Sequence, residues 1–549
     1  MAPTYSKTFV STEVDAQPKR IIICCDGTWQ SATSLDPTKG SSSNVTRLSR
    51  VLANAGKDKD GKEWQQIVYY DAGIGTGDIG DAEKKRQGGL GIGLIENILE
   101  AFNFLANNYR AGDQLFFFGF SRGAYTVRAT AGLVCQLGVL KSAHMPTFIE
   151  LYNNYIHRKD GVEELFSQYP AWKEFVEKSK KSGGHAISTP SEIKIQVIGV
   201  WDTVGALGIP DLGHWFKIHK ADQKAYQFYD TSLNDQILHA YQALALDERR
   251  ESFAPTMWKL RPPPLIDAKG DPDGPRQRPK TALCQVSDFH LMDATDTEGA
   301  ESNPLTSWCW FPGAHINVGG GSSANVGKNP KGDREQLASV SYAWMLDRIR
   351  PHLALSESAL AGQIADFKRM AEAAPEPEAS WSIWNAPKFM KNLISDTTNK
   401  VLPAGYGFGE IDDSHTPMYW LMAFPKEREP NFYNQTSKSI PIEEQWYTVE
   451  RIHPSVYYRQ QAQLSHGMEP YVPAALQGWE RREELHGKGR DGARKGWKWI
   501  KFNEKGERLD EMWEFEIGDF PEGMSVEKRF IDASLVKDIH EKASEAWKI

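Results

Sequence analysis

The chain has few cysteines, no long apolar run and no excess of basic residues. Five cysteines in 549 residues, two of them adjacent at Cys24 and Cys25, do not make a disulfide framework, so a reduced, cytoplasmic location is expected. No apolar run approaches the roughly 18 residues that a membrane-spanning helix needs, so no transmembrane segment is expected. Residues 1–19 lack the apolar centre of a signal peptide and are expected to form a disordered leader.

The net charge of the chain does not favour binding to polyanions such as nucleic acids. Lysine and arginine number 64 against 72 aspartate and glutamate, for a net charge of -8. A basic stretch with two tryptophans, "GKGRDGARKGWKWIKF" at 487–502, resembles an anion-binding surface, but in an acidic chain a solvated turn and a half-buried strand are favoured. No nucleic-acid partner is therefore expected.

The most informative stretch that is present is "FFFGFSRGAY" at 116–125. Its centre, Gly119-Phe120-Ser121-Arg122-Gly123, fits G-x-S-x-G, a sharp strand-to-helix turn that holds a serine hydroxyl at the end of a buried strand. The glycines at both sides are needed because side chains there would clash with the crossing backbone. The pattern predicts Ser121 as a nucleophile only if a strand precedes it and a helix follows it.

The flanking sequence has both elements. The apolar run "DQLFFFGF" is typical of a strand that is buried on both faces of a parallel sheet. After it, Ala124, Val127, Ala131 and Val134 recur at helical spacing. Before it, "LIENILEAFNFLANNYRAGD" reads as an amphipathic helix that ends near Gly112. These elements predict an α/β unit.

Similar apolar runs elsewhere predict a mostly parallel sheet flanked by helices. The stretch "HAYQALALDERR" at 239–250 reads as a helix whose end carries an internal ion-pair network, and 337–353 reads as a helix that closes the sheet. The predicted strands are 20–25, 65–70, 114–119, 193–200 and 307–313.

The length favours one large domain with additions. The core domain is expected over 20–353, with a Pro-rich insertion at about 203–306. Residues 354–549, patchily helical and then rich in Trp, Pro and Gly, are expected to pack on that domain and to shape its substrate site. A separately folded module is the alternative.

A nucleophilic serine needs a base and an acid that orients the base. Asp202 follows the buried strand "IKIQVIGVW", and His315 follows the aromatic strand "SWCWFPG", so both emerge where parallel strands end at one edge of the sheet. Each has a plainer interpretation, Asp202 as a helix N-cap and His315 as a structural histidine. The order Ser121, Asp202, His315 favours the catalytic interpretation and favours His315 over the rival histidines His239, His290 and His453.

Seven ordered motifs carry a resemblance to a known family. In this order, "IIICCDGTWQ", "SNVTRL", "YYDAGIGT", "GFSRGAYTVRATAGL", "VIGVWDTVGA", "HAYQALALDERRESFAP" and "WFPGAHINVGGG" resemble the α/β-hydrolase family of type VI secretion phospholipase effectors, which includes stand-alone fungal and bacterial proteins. The resemblance runs from about residue 20 to 350. It implies an α/β-hydrolase-like fold and a Ser-Asp-His esterase or lipase with Ser121, Asp202 and His315, whereas Asn317 and Ser322 depart from the usual family residues.

The loop after the first strand is expected to complete the oxyanion site. The backbone N–H of Arg122, directly after the nucleophile, is the first expected donor, and the N–H of Gly27 or Thr28 is the second. Asp26 is expected to turn aside and pair with Arg122, which would stiffen the serine turn. An ordinary Asp-Gly turn is the alternative.

Other functions remain as alternatives. Haloacid-dehalogenase-type phosphatases carry D-x-D-G-T after such a strand, but Cys24 stands at the position of their nucleophile. "GTGDIG" at 75–80 matches a dinucleotide motif without a helix start. The acidic loop 288–298 could hold a cation, although its spacing matches no calcium loop. An inactive binding protein on a hydrolase fold is also possible. The favoured function is hydrolysis of a small-molecule or lipid ester without metal or organic cofactor.

Overall fold

The computed structural model describes most of the sheet and its helices. Thr28, the stretch 74–91 and much of the region 203–306, including the acidic loop 288–298 and His290, lie outside the described residues. The described residues are 17–27, 42–73, 92–148, 152, 193–205, 233–234, 236–258, 260, 305–321, 335–372, 405–409, 411, 425–432, 434, 448–465, 470–489, 492–518 and 523–533.

A single mixed sheet organises these residues. All five predicted strands are present, and from β3 to β11 every neighbouring pair is parallel, while β2 and the pair β9–β10 are antiparallel additions. The order across the sheet is β2-β3-β1-β4-β5-β6-β7-β8-β11-β10-β9. The strands are β1 Lys19–Cys25, β2 Ala55–Lys57, β3 Glu63–Asp71, β4 Gln114–Phe120, β5 Ile195–Trp201, β6 Ile237–Ala245, β7 Leu305–Phe311, β8 Glu450–Ile452, β9 Trp479–Gly489, β10 Gly492–Phe502 and β11 Arg508–Glu514.

Helices cover both faces of the sheet, as the α/β prediction requires. Residues of α2 and α3 pack in one hydrophobic cluster, and residues of α1, α5, α6 and α8 pack in the other. Among the described helices none is long and apolar enough to span a membrane; the cytoplasmic location stays a prediction. The helices are α1 Asn44–Val51, α2 Ile92–Asn108, α3 Ser121–Leu137, α4 His315–Gly319, α5 Glu335–Ile349, α6 Glu357–Glu372, α7 Ser455–Ser465 and α8 Val526–Asp532.

The order of the strands determines where a ligand can bind. The chain places β3 on one side of β1 and β4 on the other, so the loops after β1 and β4 leave the sheet in opposite directions. In parallel sheets a crevice opens at such a switch point, beyond the carboxyl ends of the strands. Ser121, the first residue after β4, therefore lies at the crevice.

The helix predicted over 239–250 is wrong. Ile237–Ala245 is a strand, β6, hydrogen-bonded between β5 and β7. Its alanines, leucines and glutamine favour a helix when isolated, but a strand inside a parallel sheet is covered on both faces and needs no alternating pattern. Two ion pairs lie at its end, Glu248 with Arg250 and Arg249 with Glu427; a network that braces the sheet stays a prediction.

The C-terminal region contributes strands to this sheet. β8 pairs with β7 and β11 pairs with β8, and Ile452 and Phe515 are buried in the two core clusters. The domain boundaries expected from the sequence, and an effect of this region on substrate preference, stay predictions.

Truncation after residue 400 tests how far the fold depends on this region. We expect aggregation, because the truncation removes β8, exposes the hydrogen-bonding edge of the aromatic strand β7 and uncovers apolar core. Size-exclusion chromatography and circular dichroism of the purified fragment measure the outcome. A monodisperse fragment with an unchanged Tm would contradict this expectation.

Candidate active site

Ser121 occupies a strained turn between β4 and α3. Its φ is +57°, a left-handed backbone conformation that a non-glycine residue seldom adopts. A Cβ on Gly119 would come within 2.6 Å of the Gly123 carbonyl oxygen, and a Cβ on Gly123 would overlap the carbonyl oxygens of Cys25 and Asp26. The structure thus explains both glycines of the motif by close approach of backbone, as the sequence predicts.

Replacement of Gly123 by alanine is expected to destabilise the protein by about 3 kcal/mol or more, because a rigid backbone must move to admit the methyl group. Gly362 in α6 is the matched control, since a Cβ there meets nothing within 4 Å. Gly362→Ala is expected to raise stability by about 0.5–1 kcal/mol through helix propensity. Urea unfolding of both variants gives the comparison, and equal stabilities would contradict the close-approach account.

Asp202 follows β5 directly and also has a positive φ, +36°. Its backbone N–H donates to the Ala243 carbonyl oxygen at 2.8 Å, and its Oδ1 accepts the Ala245 N–H at 3.2 Å. The side chain is fully buried. The adjacent strand β6 therefore helps to position this carboxylate.

His315 is the first residue of α4, just after β7. Its Nδ1 lies 2.6 Å from Asp202 Oδ2, and its Nε2 lies 2.8 Å from Ser121 Oγ. Because an ionised carboxylate can only accept, Nδ1 carries the proton in this pair, and the neutral ring then accepts the Ser121 hydroxyl at Nε2. The structure brings the three residues predicted from the sequence together in one hydrogen-bonded chain.

Hydrogen bonds between neighbouring residues stabilise the turn that carries His315. Asn317 Oδ1 accepts the Ala314 N–H at 3.0 Å, and the Asn317 N–H donates to the Ala314 carbonyl oxygen at 2.9 Å. The imidazole lies between two aromatic rings, with centroid distances of 4.7 Å to Phe120 and 5.0 Å to Phe253. The ring is therefore held by packing as well as by hydrogen bonds.

An arginine from the C-terminal region donates hydrogen bonds to both oxygens of the Asp202 carboxylate. Arg428 Nη1 donates to Oδ1 at 3.2 Å and Nη2 donates to Oδ2 at 3.0 Å. Burial alone would raise the pKa of Asp202, but the Arg428 charge and the His315 hydrogen bond outweigh it and lower this pKa to about 2. Asp202 therefore stays ionised over the neutral range.

A second buried carboxylate lies beside His315. Glu248 Oε2 accepts the His315 backbone N–H at 3.3 Å, and Arg250 donates to both oxygens of Glu248 at 2.8 Å. Burial would raise the pKa of Glu248, but the hydrogen bond and charge of Arg250 lower it to about 2. Asp202 and Glu248 thus each have an arginine partner, as buried charges require.

The expected pairing of Asp26 with Arg122 is wrong. The Asp26 carboxylate accepts the hydroxyls of Ser43, Thr46 and Tyr70 at 2.5, 2.8 and 2.7 Å. It also accepts the Gly27 N–H at 2.7 Å. These four donors satisfy the carboxylate without Arg122. Apart from the adjacent Gly27, they come from α1, the residue before that helix, and β3, which sequence spacing does not relate to Asp26.

The same contact bears on the oxyanion donors. The Gly27 N–H donates to Asp26, so it is not available as the second oxyanion donor that the sequence predicts. Thr28, the other candidate for the second donor, lies outside the described residues. Arg122 follows Ser121 in the first turn of α3, where N–H groups point towards the helix N-terminus. Arg122 and Thr28 as oxyanion donors stay predictions.

The rival histidines have other surroundings. His453 is buried between Ser455 Oγ at 2.8 Å and Glu527 Oε2 at 2.9 Å. His239 lies near the start of β6, at the end of the strand opposite to Asp202 and Ser121. The phosphatase alternative loses its remaining basis, since Cys24 is fully buried within β1 and burial raises the pKa of its thiol.

Sequence reasoning missed Arg428 and Glu248 as neighbours of the triad. Arg428 lies 226 positions from Asp202 in the chain, in the charged stretch "PKEREP", which reads as an ordinary solvated loop. Glu248 lies in the stretch assigned to a helix, so its position beside His315 had no sequence signal either.

Comparisons with known proteins give distant relatives. Over 249 residues the chain is 27% identical to the uncharacterized protein YEL023C of Saccharomyces cerevisiae, a match that covers 43% of this chain and 32% of the yeast protein. The chain thus spans about a third of that relative's length.

Two solved structures are also similar. The first is the Tle1 effector bound to the VgrG spike from the type 6 secretion system, 18% identical with a TM-score of 0.28, over 58% of this chain and 55% of that one. The second is an uncharacterized protein from Pseudomonas aeruginosa, 17% identical with a TM-score of 0.29, over 66% of this chain and 52% of that one.

A family model also matches the chain. It is described as the T6SS phospholipase effector Tle1-like catalytic domain, and it matches residues 19–348, more than half of the chain. These residues include β1 to β7 and the turns that carry Ser121, Asp202 and His315. The chain belongs to the Tle1-like phospholipase effector catalytic-domain family.

Proposed function

We propose that the chain is a carboxylic ester hydrolase of the lipase or phospholipase type that works through an acyl-enzyme on Ser121. The observation that carries the proposal is the hydrogen-bonded chain from Ser121 to His315 and Asp202, with distances of 2.8 and 2.6 Å, at the switch point of the sheet. The description of the family as phospholipase effectors supports lipid esters as the substrate class.

In the acylation step, His315 Nε2 takes the proton of Ser121 as Oγ attacks the ester carbonyl carbon. The electron pair of the C=O bond moves to oxygen, and the N–H groups of Arg122 and Thr28 are the proposed donors to this oxyanion. When the tetrahedral intermediate collapses, the bond to the alcohol breaks and His315 returns the proton to the departing oxygen. The acyl group remains on Ser121.

In the deacylation step, water takes the place of the alcohol. His315 accepts a proton from the water, which attacks the acyl carbon, and the carboxylic acid leaves as Ser121 regains its proton. Asp202 accepts the Nδ1–H hydrogen bond throughout, so that it fixes the tautomer of the ring and stabilises the imidazolium that forms.

The backbone of Ser121 supports an enzyme over an inactive binding protein. A non-glycine residue at φ +57° costs of order 1–3 kcal/mol, and such strain clusters at functional sites. A binding protein that merely inherited the fold has no need to keep a histidine within 2.8 Å of the serine hydroxyl and within 2.6 Å of the aspartate carboxylate.

A product assay tests the proposal. The purified chain and the Ser121→Ala variant are incubated with p-nitrophenyl butyrate and, separately, with phosphatidylcholine vesicles, and the lipid products are identified by mass spectrometry. Release of a fatty acid by the wild-type chain alone is the expected result. Release of phosphocholine or phosphatidic acid would indicate phosphodiester cleavage, and inactivity of the folded chain towards both substrates would contradict ester hydrolysis.

A further inference from the structure

Arg428 makes a two-pronged contact with the acid of the triad. Its two terminal nitrogens donate to the two oxygens of Asp202 at 3.2 and 3.0 Å, and Nη2 also donates to the Phe253 carbonyl oxygen at 2.8 Å. Both side chains are buried, with Arg428 4% exposed. A planar guanidinium that bonds both oxygens fixes the plane of a carboxylate, which a single hydrogen bond cannot do.

We propose, on the basis of the proposed ester hydrolysis, that Arg428 is a positioning residue for the triad and that the C-terminal region completes the active site by supplying it. Arg428 acts through Asp202: it holds Oδ2 towards His315 Nδ1 and keeps the carboxylate ionised. It does not touch the ester.

The segment that carries Arg428 is fixed on one side to the loop after β6. The Lys426 N–H donates to the Arg249 carbonyl oxygen at 2.9 Å, and Arg249 Nε lies 3.0 Å from Glu427 Oε1. These contacts hold the residues directly before Arg428 next to Glu248 and the His315 turn.

On its other side the segment is fixed to the sheet. Asn431, with φ +63°, donates its N–H to Glu450 Oε2 at 2.8 Å. The same oxygen accepts the indole N–H of Trp310 at 2.7 Å, and Trp310 belongs to β7, the strand that leads to His315. Arg428 is thus braced between two elements that also position the triad.

Arg428 lies outside the part of the chain that the family model matches. The family match ends at residue 348, and Arg428 lies 80 residues beyond it, counted as 428 minus 348. The part of the chain that carries Ser121, Asp202 and His315 therefore lacks a group that contacts Asp202. Catalysis in this chain is coupled to docking of the segment 425–432.

The charges around the Asp202–His315 pair determine the effect on pH. Arg428 faces Asp202, and the buried pair Glu248–Arg250 lies at the His315 backbone. Loss of the Arg428 charge makes a proton on the Asp202–His315 pair more favourable, because one nearby positive charge disappears while Glu248 and Arg250 remain. The acid limb of the rate profile must therefore move to higher pH.

The test compares Arg428→Gln and Arg428→Lys with the wild-type chain. Glu429→Gln is the matched control, since it alters the neighbouring residue of the same segment at an exposed side chain that takes no part in fixing the segment. Values of kcat and KM for p-nitrophenyl butyrate are measured from pH 4.5 to 9, with the Tm of each variant. We expect Arg428→Gln to lower kcat by roughly 10- to 100-fold at nearly constant KM.

The pH profile separates positioning from a merely structural role. The acid limb of Arg428→Gln is expected about one pH unit above that of the wild type. Arg428→Lys, which keeps the charge but loses the two-pronged contact, is expected to keep the wild-type acid limb with an intermediate kcat. Glu429→Gln is expected to match the wild type in kcat, KM and Tm.

Three outcomes are distinguishable. An inactive wild-type chain would refute ester hydrolysis itself. An active wild type with unchanged kcat and acid limb in Arg428→Gln would overturn the role of Arg428 and leave ester hydrolysis intact. If Arg428→Gln does not fold, Arg428→Lys decides: wild-type kcat in that variant overturns the requirement for two-pronged positioning, and a reduced kcat with an unmoved acid limb supports it.

Discussion

Replacement of Ser121 by alanine will lower ester turnover by about 10⁴-fold or more and leave the fold intact. The side chain is 7% exposed, and the hydrogen bond that the structure gives its hydroxyl is the one to His315. Alanine at φ +57° carries the same backbone strain as serine, so the Tm is expected to change by no more than a few degrees. Steady-state kinetics and thermal unfolding of the same preparation measure both effects.

Ser121→Gly serves as a companion variant. It removes the nucleophile as completely as alanine, but glycine adopts a positive φ without strain, so its stability is expected to exceed that of Ser121→Ala by about 1 kcal/mol. Residual activity in either variant above about a hundredth of the wild-type rate would exclude Ser121 as the nucleophile.

Replacement of His315 by alanine is expected to lower turnover by a similar factor of about 10⁴, because no base then accepts the serine proton. His239→Ala is the matched control. His239 is half-buried at the other end of the sheet, and burial lowers its pKa to about 4, so its removal changes no charge near neutral pH. We expect that variant to keep wild-type kcat.

The stability of the two histidine variants is measured alongside their kinetics. His315→Ala leaves a gap between Phe120 and Phe253 and is expected to cost about 1–3 kcal/mol. If His315→Ala retains most of the wild-type activity, another residue is the base and the proposed role of His315 fails.

The serine turn could be predicted from sequence because its determinants are local. An apolar strand, two glycines and a helix lie within 24 consecutive residues, Gln114–Leu137, and each has its own signal. Asp202 and His315 could be found because parallel strands end at one edge of the sheet, so a residue directly after a strand is placed by topology alone.

Contacts between segments that are distant in the chain have no local sequence pattern from which they could be predicted. The hydroxyls around Asp26 come from Ser43, α1 and β3, and Arg428 lies 226 positions from Asp202 in the sequence. A charge in a polar loop has the same local appearance whether it is solvated or buried against a partner. The sequence of β6 predicts a helix for a related reason: its neighbours β5 and β7, and not its own residues, make it a strand.

Labelling with a fluorophosphonate tests the central claim, an activated serine at the end of β4, most directly. The folded chain is treated with a small excess of the reagent, and the labelled peptide is mapped by mass spectrometry. The account predicts one label per chain, on Ser121, with no label in Ser121→Ala and strongly slowed labelling in His315→Ala. A folded wild-type chain that hydrolyses esters but carries no label on Ser121 would contradict it.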